Sequence, residues 1–378
     1  MVSFFTSIGA LIASVWITLW SFLPVGFTKI TTEPSVFDCG NDYYAVVWAT
    51  STKGSGCVKY TYNGEEKVVW DSAAGIIRTD DKIHSVLVPK QELQGNKYKV
   101  VSRYVGFKYG YSAALGKTVE SKEYSFCGLP KEDGFKILTI TDIHEMEKEM
   151  KQALGYFKDE TPDFVAFLGD ITSTMELKDQ FANNFLKYAN IVSKGEIPVV
   201  YTRGNHETRG EFGAEMMKYL PTETDGFYFT FSFGSLGGVV LDSGEDKEDN
   251  HPEYSGLVNF EEYRNKQFNW LSSLEKSEFE NNRYTIAFSH NPNIGNYFGK
   301  DWITPLVDLD ADLLVGGHHH KSEFKEDVAV PTLYAGGKLK TGTGVWSATM
   351  LTLENDTIHM LTIDNSGNTL LDKTINTN

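Results

Sequence analysis

Five short motifs in one order hold most of the residues that could do chemistry: Asp142-Ile143-His144, Gly169-Asp170, Gly204-Asn205-His206-Glu207, Ser289-His290 and Gly317-His318-His319-His320. Six of the nine histidines fall inside them, which makes a shared site the first reading to test. Carboxylates, imidazoles and one amide are the donor set of a two-metal centre, in which at least one anionic ligand must touch both ions. Asp170 is the expected bridge. Asp142, His144 and His320 would complete the protein ligands of the first metal. Asn205, through its amide oxygen, would serve the second with His290 and His318. His318 and His320 alternate along the chain, so they can address neighbouring ions while His319 points elsewhere. Asp142 and His144 also alternate, and both can reach one ion only if the chain turns there. This mixed set does not select among Fe, Zn and Mn, as divalent or trivalent ions.

His206 follows a ligating amide, so its imidazole is expected over the open side of the site, placed to protonate a leaving alkoxide as general acid. Glu207 either orients that imidazole or supports the turn that follows. Arg203 and Arg209 flank the motif and are the expected substrate-binding residues, since a guanidinium offers forked donors to phosphate oxygens; a solvated surface arginine is the plain alternative for each. Singly these signals are weak, and a lone Ser289-His290 is more often a satisfied core histidine. Their joint order carries the specificity. His84 and His359 read as structural, and His251, beside Asp242-Ser243-Gly244-Glu245, as an exposed loop residue.

Such residues need strand ends on one rim to bring them together. After Pro130, buried-strand candidates (Phe135–Ile140, Asp163–Leu168, Ile197–Tyr201) alternate with helix-compatible stretches (Glu145–Glu160, Glu176–Lys194, Glu211–Leu220). Further strands are expected at 238–241, 284–288, 313–315 and in the tail from Trp346 to Ile363, with a helix from Phe260 to Leu274. Residues 131–378 therefore read as an α/β domain. Residues 30–130 read differently. Short β-type runs at Tyr43–Trp48, Cys57–Tyr62, Lys67–Trp70, His84–Val88 and Tyr98–Ser102, with turns such as Asn63-Gly64, predict a small all-β sandwich with Trp48 and Tyr98 in its core.

The 378 residues carry a formal net charge of -16, which opposes binding to phosphate polymers and leaves a small phosphoester as the expected partner. Cys39, Cys57 and Cys127 have no metal or redox spacing and read mainly as buried thiols, with a Cys39–Cys127 bridge as the alternative outside the cytosol. Residues 1–28 contain no charged side chain and are apolar over a membrane-scale length. An uncleaved anchor or a signal segment is expected there, hence membrane association through residues 1–28 or secretion, with the rest of the chain outside the cytoplasm.

The motifs together resemble the calcineurin-like metallophosphoesterase superfamily, whose pattern D-x-H, G-D, G-N-H-E, H and G-H-x-H is met at every position from Asp142 to His320. The order of a β-sandwich before this domain resembles purple acid phosphatases, where the first domain is fibronectin type III-like. One departure stands out. Those enzymes have a tyrosine three residues after the bridging aspartate and no histidine in the first motif, whereas this chain has Ser173 and keeps His144. The resemblance implies a four-layer fold of two mixed sheets flanked by helices, with a dinuclear site at the strand ends. It also implies a phosphomonoesterase in which metal-bound hydroxide attacks phosphorus in line and His206 protonates the alcohol. A phosphodiesterase would use the same ligands. A non-catalytic metal-binding cell-surface module is the reading from another class, against which the presence of His206 argues.

Overall fold

The computed structural model describes Val15 and residues 26–40, 42–110 and 112–377. The expected anchor or signal segment, apart from Val15 and residues 26–28, lies outside the described residues. Among the described residues no helix is long and apolar enough to cross a membrane.

The α/β part begins with β-strands Phe135–Ile140, Phe164–Phe167 and Pro198–Tyr201, which pair in parallel. Phe135–Ile140 also pairs antiparallel with Trp346–Glu354, which continues into Thr357–Asp364 and Thr369–Asn376. A second sheet has the order Phe229–Phe233, Leu236–Leu241, Tyr284–Ser289, Leu313–Gly316, Thr332–Ala335, Ser322–Lys325. The period-2 alternation of strand side chains assigns each face. In Phe164–Phe167, Phe164 and Ala166 enter the core between the sheets, whereas Val165 and Phe167 face the core beneath the helices. In Tyr284–Ser289, Ile286 and Phe288 point into that same inter-sheet core and Ala287 points away from it.

Helices close both outer faces. Helix α1 (Glu147–Leu154) buries Met150 and Ala153, and α2 (Leu186–Ser193) buries Leu186, Ala189 and Val192, all against the first sheet. Helix α3 (Phe260–Leu271) and α4 (Ile303–Asp308) bury Leu271 and Leu306 against the second. The result is helix, sheet, sheet, helix: the expected four layers, preceded by a β-rich region.

That region is all-β as expected, yet its strands do not close on themselves. Strand β1 (Ile30–Asp38) pairs antiparallel with β2 (Tyr43–Tyr62) and in parallel with Pro198–Tyr201, so one hydrogen-bonded sheet runs from the N-terminal strands into the α/β part. The expected strands Tyr43–Trp48 and Cys57–Tyr62 are one bent strand. Its first half pairs with Asp81–Pro89 and its second with Lys97–Tyr109, with an irregularity between Ala49 and Gly54. At the bend a Cβ on Gly54 would lie 2.2 Å from the Arg103 carbonyl oxygen, so only glycine fits. The alternation of β2 then serves two cores. Tyr44, Val46 and Trp48 pack with Tyr98 inside the β-region, while Ala45, Val47 and Ala49 pack with Phe167 and Phe185 of the α/β part. Trp48 and Tyr98 are fully buried, as predicted. All three cysteines are free; Cys39 and Cys57 are buried, and Cys127 is exposed rather than buried or bridged.

Candidate metal centre

Every motif begins within three residues of the C-terminal end of a strand. Asp142 follows Phe135–Ile140, Asp170 follows Phe164–Phe167 and Asn205 follows Pro198–Tyr201; from the second sheet, His290 follows Tyr284–Ser289 and His318 follows Leu313–Gly316. The turn required between Asp142 and His144 is supplied by the backbone: both take positive φ, 46° and 43°. Asp170, His318 and His320 do so as well, at 53°, 64° and 55°. Left-handed non-glycine residues are uncommon and cluster where a site dictates the conformation. Glycine then lets the loops touch. A Cβ on Gly204 would stand 2.2 Å from the Asp170 nitrogen, and one on Gly317 2.5 Å from Asp142 Oδ2.

Seven residues converge. Potential ligand atoms of Asp142, His144 and His320 lie within 4.8 Å of one another, as do those of Asp170, His290 and His318. Asp170 joins the two groups: its Oδ1 accepts the His206 amide at 2.9 Å, while Oδ2 lies 3.6 Å from His144 Nε2 and 3.3 Å from His290 Nε2. The amide end of Asn205 that faces the centre is 3.1 Å from both His290 Nε2 and His318 Nδ1.

These residues fit a metal pair on three observations. Asp142 Oδ2 accepts from Thr141 Oγ1 at 2.6 Å and the His318 amide at 2.9 Å, but the equally buried Oδ1 has no hydrogen-bond partner. Its nearest imidazoles, His144 Nε2 at 3.8 Å and His320 Nε2 at 3.6 Å, are too far to donate and suitably spaced to share an ion whose bonds are about 2.0–2.2 Å long. The outward ring nitrogens are held by carbonyls, His290 Nδ1 by Leu168 at 2.6 Å and His320 Nδ1 by Lys338 at 2.8 Å, which turns each Nε2 inward.

Electrostatics agree with that chemistry. Burial pushes His144 and His318 down to about 3, so both are neutral, the form a metal takes. Asp170 stays ionised: burial raises its pKa, but the charge of His290 and the other imidazoles outweighs burial and holds it below the usual carboxylate range. His290, which burial alone would lower, is carried up to about 10 by Asp170. The proton shared between them is the one a cation would displace.

His206 stands at the edge of the cluster, with Nδ1 2.7 Å from the Ser173 carbonyl and Nε2 3.8 Å from Asp170 Oδ2. Arg209 Nη1 is 3.1 Å from His206 Nε2, and its Nε is held by Glu245 Oε1 at 2.5 Å. Arg203 is placed otherwise. Its guanidinium is largely buried, pairs with Asp242 at 2.7 Å and stacks between the rings of Phe227 and Tyr263 at 5.0 and 5.3 Å. Glu207 is fully buried, and among the described residues no imidazole is hydrogen-bonded to it; its oxygens accept the amides of Asp170, Gly204 and Thr172. His319 turns out of the centre toward Asn293, 2.8 Å away.

Sequence reasoning did not reach several supporting residues. Ser173 was noted only as a missing tyrosine, yet its carbonyl holds His206 and its hydroxyl bonds to Glu145. Trp346 donates from Nε1 to the Asp142 carbonyl at 3.1 Å across 204 residues, with no local signal. Glu245 and Asp242 stood in a polar run whose ion pairs only the folded chain defines.

A family model described as calcineurin-like phosphoesterase matches residues 135–322, the span from the first strand of the α/β part to just beyond His320. No curated protein matches. Among solved structures the chain is similar to a dimetal phosphatase from Danio rerio (15% identity, 65% of this chain and 100% of that one, TM-score 0.46). It is similar also to GAP50, the anchor in the inner membrane complex of Plasmodium (14% identity, 65% and 90%, TM-score 0.47). A third is Yfce, a phosphoesterase from E. coli (15% identity, 65% and 100%, TM-score 0.33). The match over residues 135–322 is thus to a phosphoesterase domain, it contains every residue of the metal centre from Asp142 to His320, and it supports a metal-dependent phosphoesterase.

Proposed function

We propose that the chain hydrolyses small phosphomonoesters at a dinuclear site of Fe, Zn or Mn held by Asp142, His144, Asp170, Asn205, His290, His318 and His320. The observation that carries the reading is the position of Asp170 Oδ2, turned toward His144 on one side and His290 on the other. Such a metal pair, when bound, supplies Lewis-acid charge at the phosphoryl oxygen and a nucleophile from water at neutral pH.

The protein's own residues do the rest. His206 is the general acid: Ser173 holds its Nδ1, and Nε2, beside Arg209 Nη1, is the atom that would face the leaving oxygen. Arg209, whose Nε and Nη2 are held by Glu245, presents its Nη1 edge beside that imidazole and gives positive charge to the non-bridging phosphate oxygens, which carry more charge in a monoester than in a diester. Arg203 acts as a positioning residue. Its pair with Asp242 braces the backbone that leads into Gly204-Asn205-His206. Comparison of aryl phosphate mono- and diesters on metal-loaded protein tests the substrate class; a diester turned over faster would move the assignment to phosphodiesterase. Inversion at a chiral phosphorus is expected, and retention would exclude direct attack by water.

A further inference from the structure

A cavity of about 730 Å³ lies next to the centre, reached from His206 across Arg209 rather than lined by His206 itself. Arg209 forms the border, lining the cavity while its Nη1 lies 3.1 Å from His206 Nε2. A group leaving past Arg209 would enter this space. Its size is that of a small-molecule pocket.

Carboxylates outnumber cations in the wall. Glu176, Glu211, Asp225 and Glu253 line it, and no lysine does. Among the described residues the first three are in no ion pair, and Glu253 meets only Lys247, at 3.2 Å. The two arginines present are already neutralised, Arg203 by Asp242 and Arg209 by Glu245. Four aromatic residues also line it, Phe227 and Tyr263 on either side of Arg203, and Tyr254 and Phe260, which meet edge to face at 70° with centroids 6.0 Å apart. Carboxylates around angled aromatic faces attract a weakly hydrated cation and repel a second anionic group.

We propose that this cavity receives the leaving group and selects an alkylammonium alcohol, so that the preferred substrate is the phosphoester of an amino or quaternary-ammonium alcohol. The phosphate would lie against Arg209 and the cation among Asp225, Glu253, Tyr254 and Phe260. Leaving groups that carry further phosphates, as in nucleoside polyphosphates, meet a wall of like charge. The inference rests on the phosphoesterase reading and adds a specificity to it.

The test pairs choline phosphate with its neutral isostere, 3,3-dimethylbutyl phosphate, on the full-length metal-loaded protein, with p-nitrophenyl phosphate as reference. The ammonium charge is expected to raise kcat/KM about ten-fold over the isostere. In Asp225→Asn/Glu253→Gln that preference should fall toward unity, with metal content and Tm as the controls for folding. Calorimetry of choline against 3,3-dimethylbutanol reads the same preference without turnover. Equal use of the two phosphates, equal binding of the two alcohols, or a preference that survives the double substitution would overturn the proposal. Loss of p-nitrophenyl phosphate hydrolysis alone would instead strike the phosphoesterase reading, because the binding comparison stands apart from it.

Discussion

The carboxylate of Glu207 accepts the backbone amide of Asp170 at 2.9 Å with one oxygen and that of Thr172 at 3.0 Å with the other. The first oxygen also takes the Gly204 amide at 2.9 Å. One buried side chain thus ties the loop that carries the proposed bridge to the loop that carries Asn205 and His206. Of the two roles the motif left open, the contacts are those of a support for the turns.

Glu207→Gln puts an amide group against N–H donors, which leaves at least one of them unpaired. Metal affinity is expected to fall about 10–100-fold, as for other residues that hold ligands in place. Metal content after gel filtration and Tm are the readouts; wild-type affinity would show that this link does not position the ligands.

Asp170→Asn keeps the size of the side chain and removes its charge. Both ions should be lost together, with metal content below one equivalent by elemental analysis, because a neutral amide cannot serve two cations. Chelation of the wild type should likewise lower Tm, since it leaves the buried Asp142 Oδ1 without a partner. Retention of two equivalents by the variant would remove the bridging role.

His206→Ala should leave metal content unchanged and lower kcat by about 10²–10⁴ for an alkyl phosphate, the usual worth of a general acid. For p-nitrophenyl phosphate, whose leaving group needs little protonation, the loss should be much smaller. Equal losses on both substrates would assign His206 to positioning.

Asp81 joins the N-terminal β-region to the segment on either side of the centre, through Tyr219 Oη at 2.6 Å, Lys178 Nζ at 2.9 Å and Lys218 Nζ at 3.3 Å. Burial raises its pKa, but hydrogen bonds from Tyr219 and Lys178 outweigh burial and hold the carboxyl below its ordinary value. A depressed folded pKa gives stability that is full above the unfolded value of about 4 and is lost as pH falls through the folded one. Asp81→Asn should therefore cost about 1.5–3 kcal/mol near neutrality, with a gap to wild type that narrows on acidification. Urea unfolding across pH measures this; a gap independent of pH would rule out the charge as its source.

Residues 131–378 produced alone should not fold. Without β1 the strand Pro198–Tyr201 gains a free edge, and Phe185 loses the ring of Phe37, stacked at 5.9 Å. Burial of a side chain like Phe37 is worth about 1.5–3 kcal/mol by itself. A soluble, cooperatively unfolding fragment would make residues 30–130 a separable domain.

The sequence alone marked the candidate ligands and most of the elements. Ligand types are local facts: Asp142, His144, Asp170, His290, His318 and His320 announce themselves by identity and order, and compact apolar runs such as Phe135–Ile140 mark buried strands. It did not reveal β1. Ile30–Asp38 contains Pro34 and Glu33 and lacks a clean alternation, so its strand character comes from two partners far away in sequence. Nor could it separate Arg203 from Arg209, two residues of one type flanking one motif. Burial beside Asp242 and exposure beside His206 are decided by which chains pack around them, as are the Ser173 carbonyl behind His206 and the Trp346 indole behind Asp142. Residue identity sets what an atom can do; the partner it meets is fixed only when distant segments are brought within hydrogen-bonding distance.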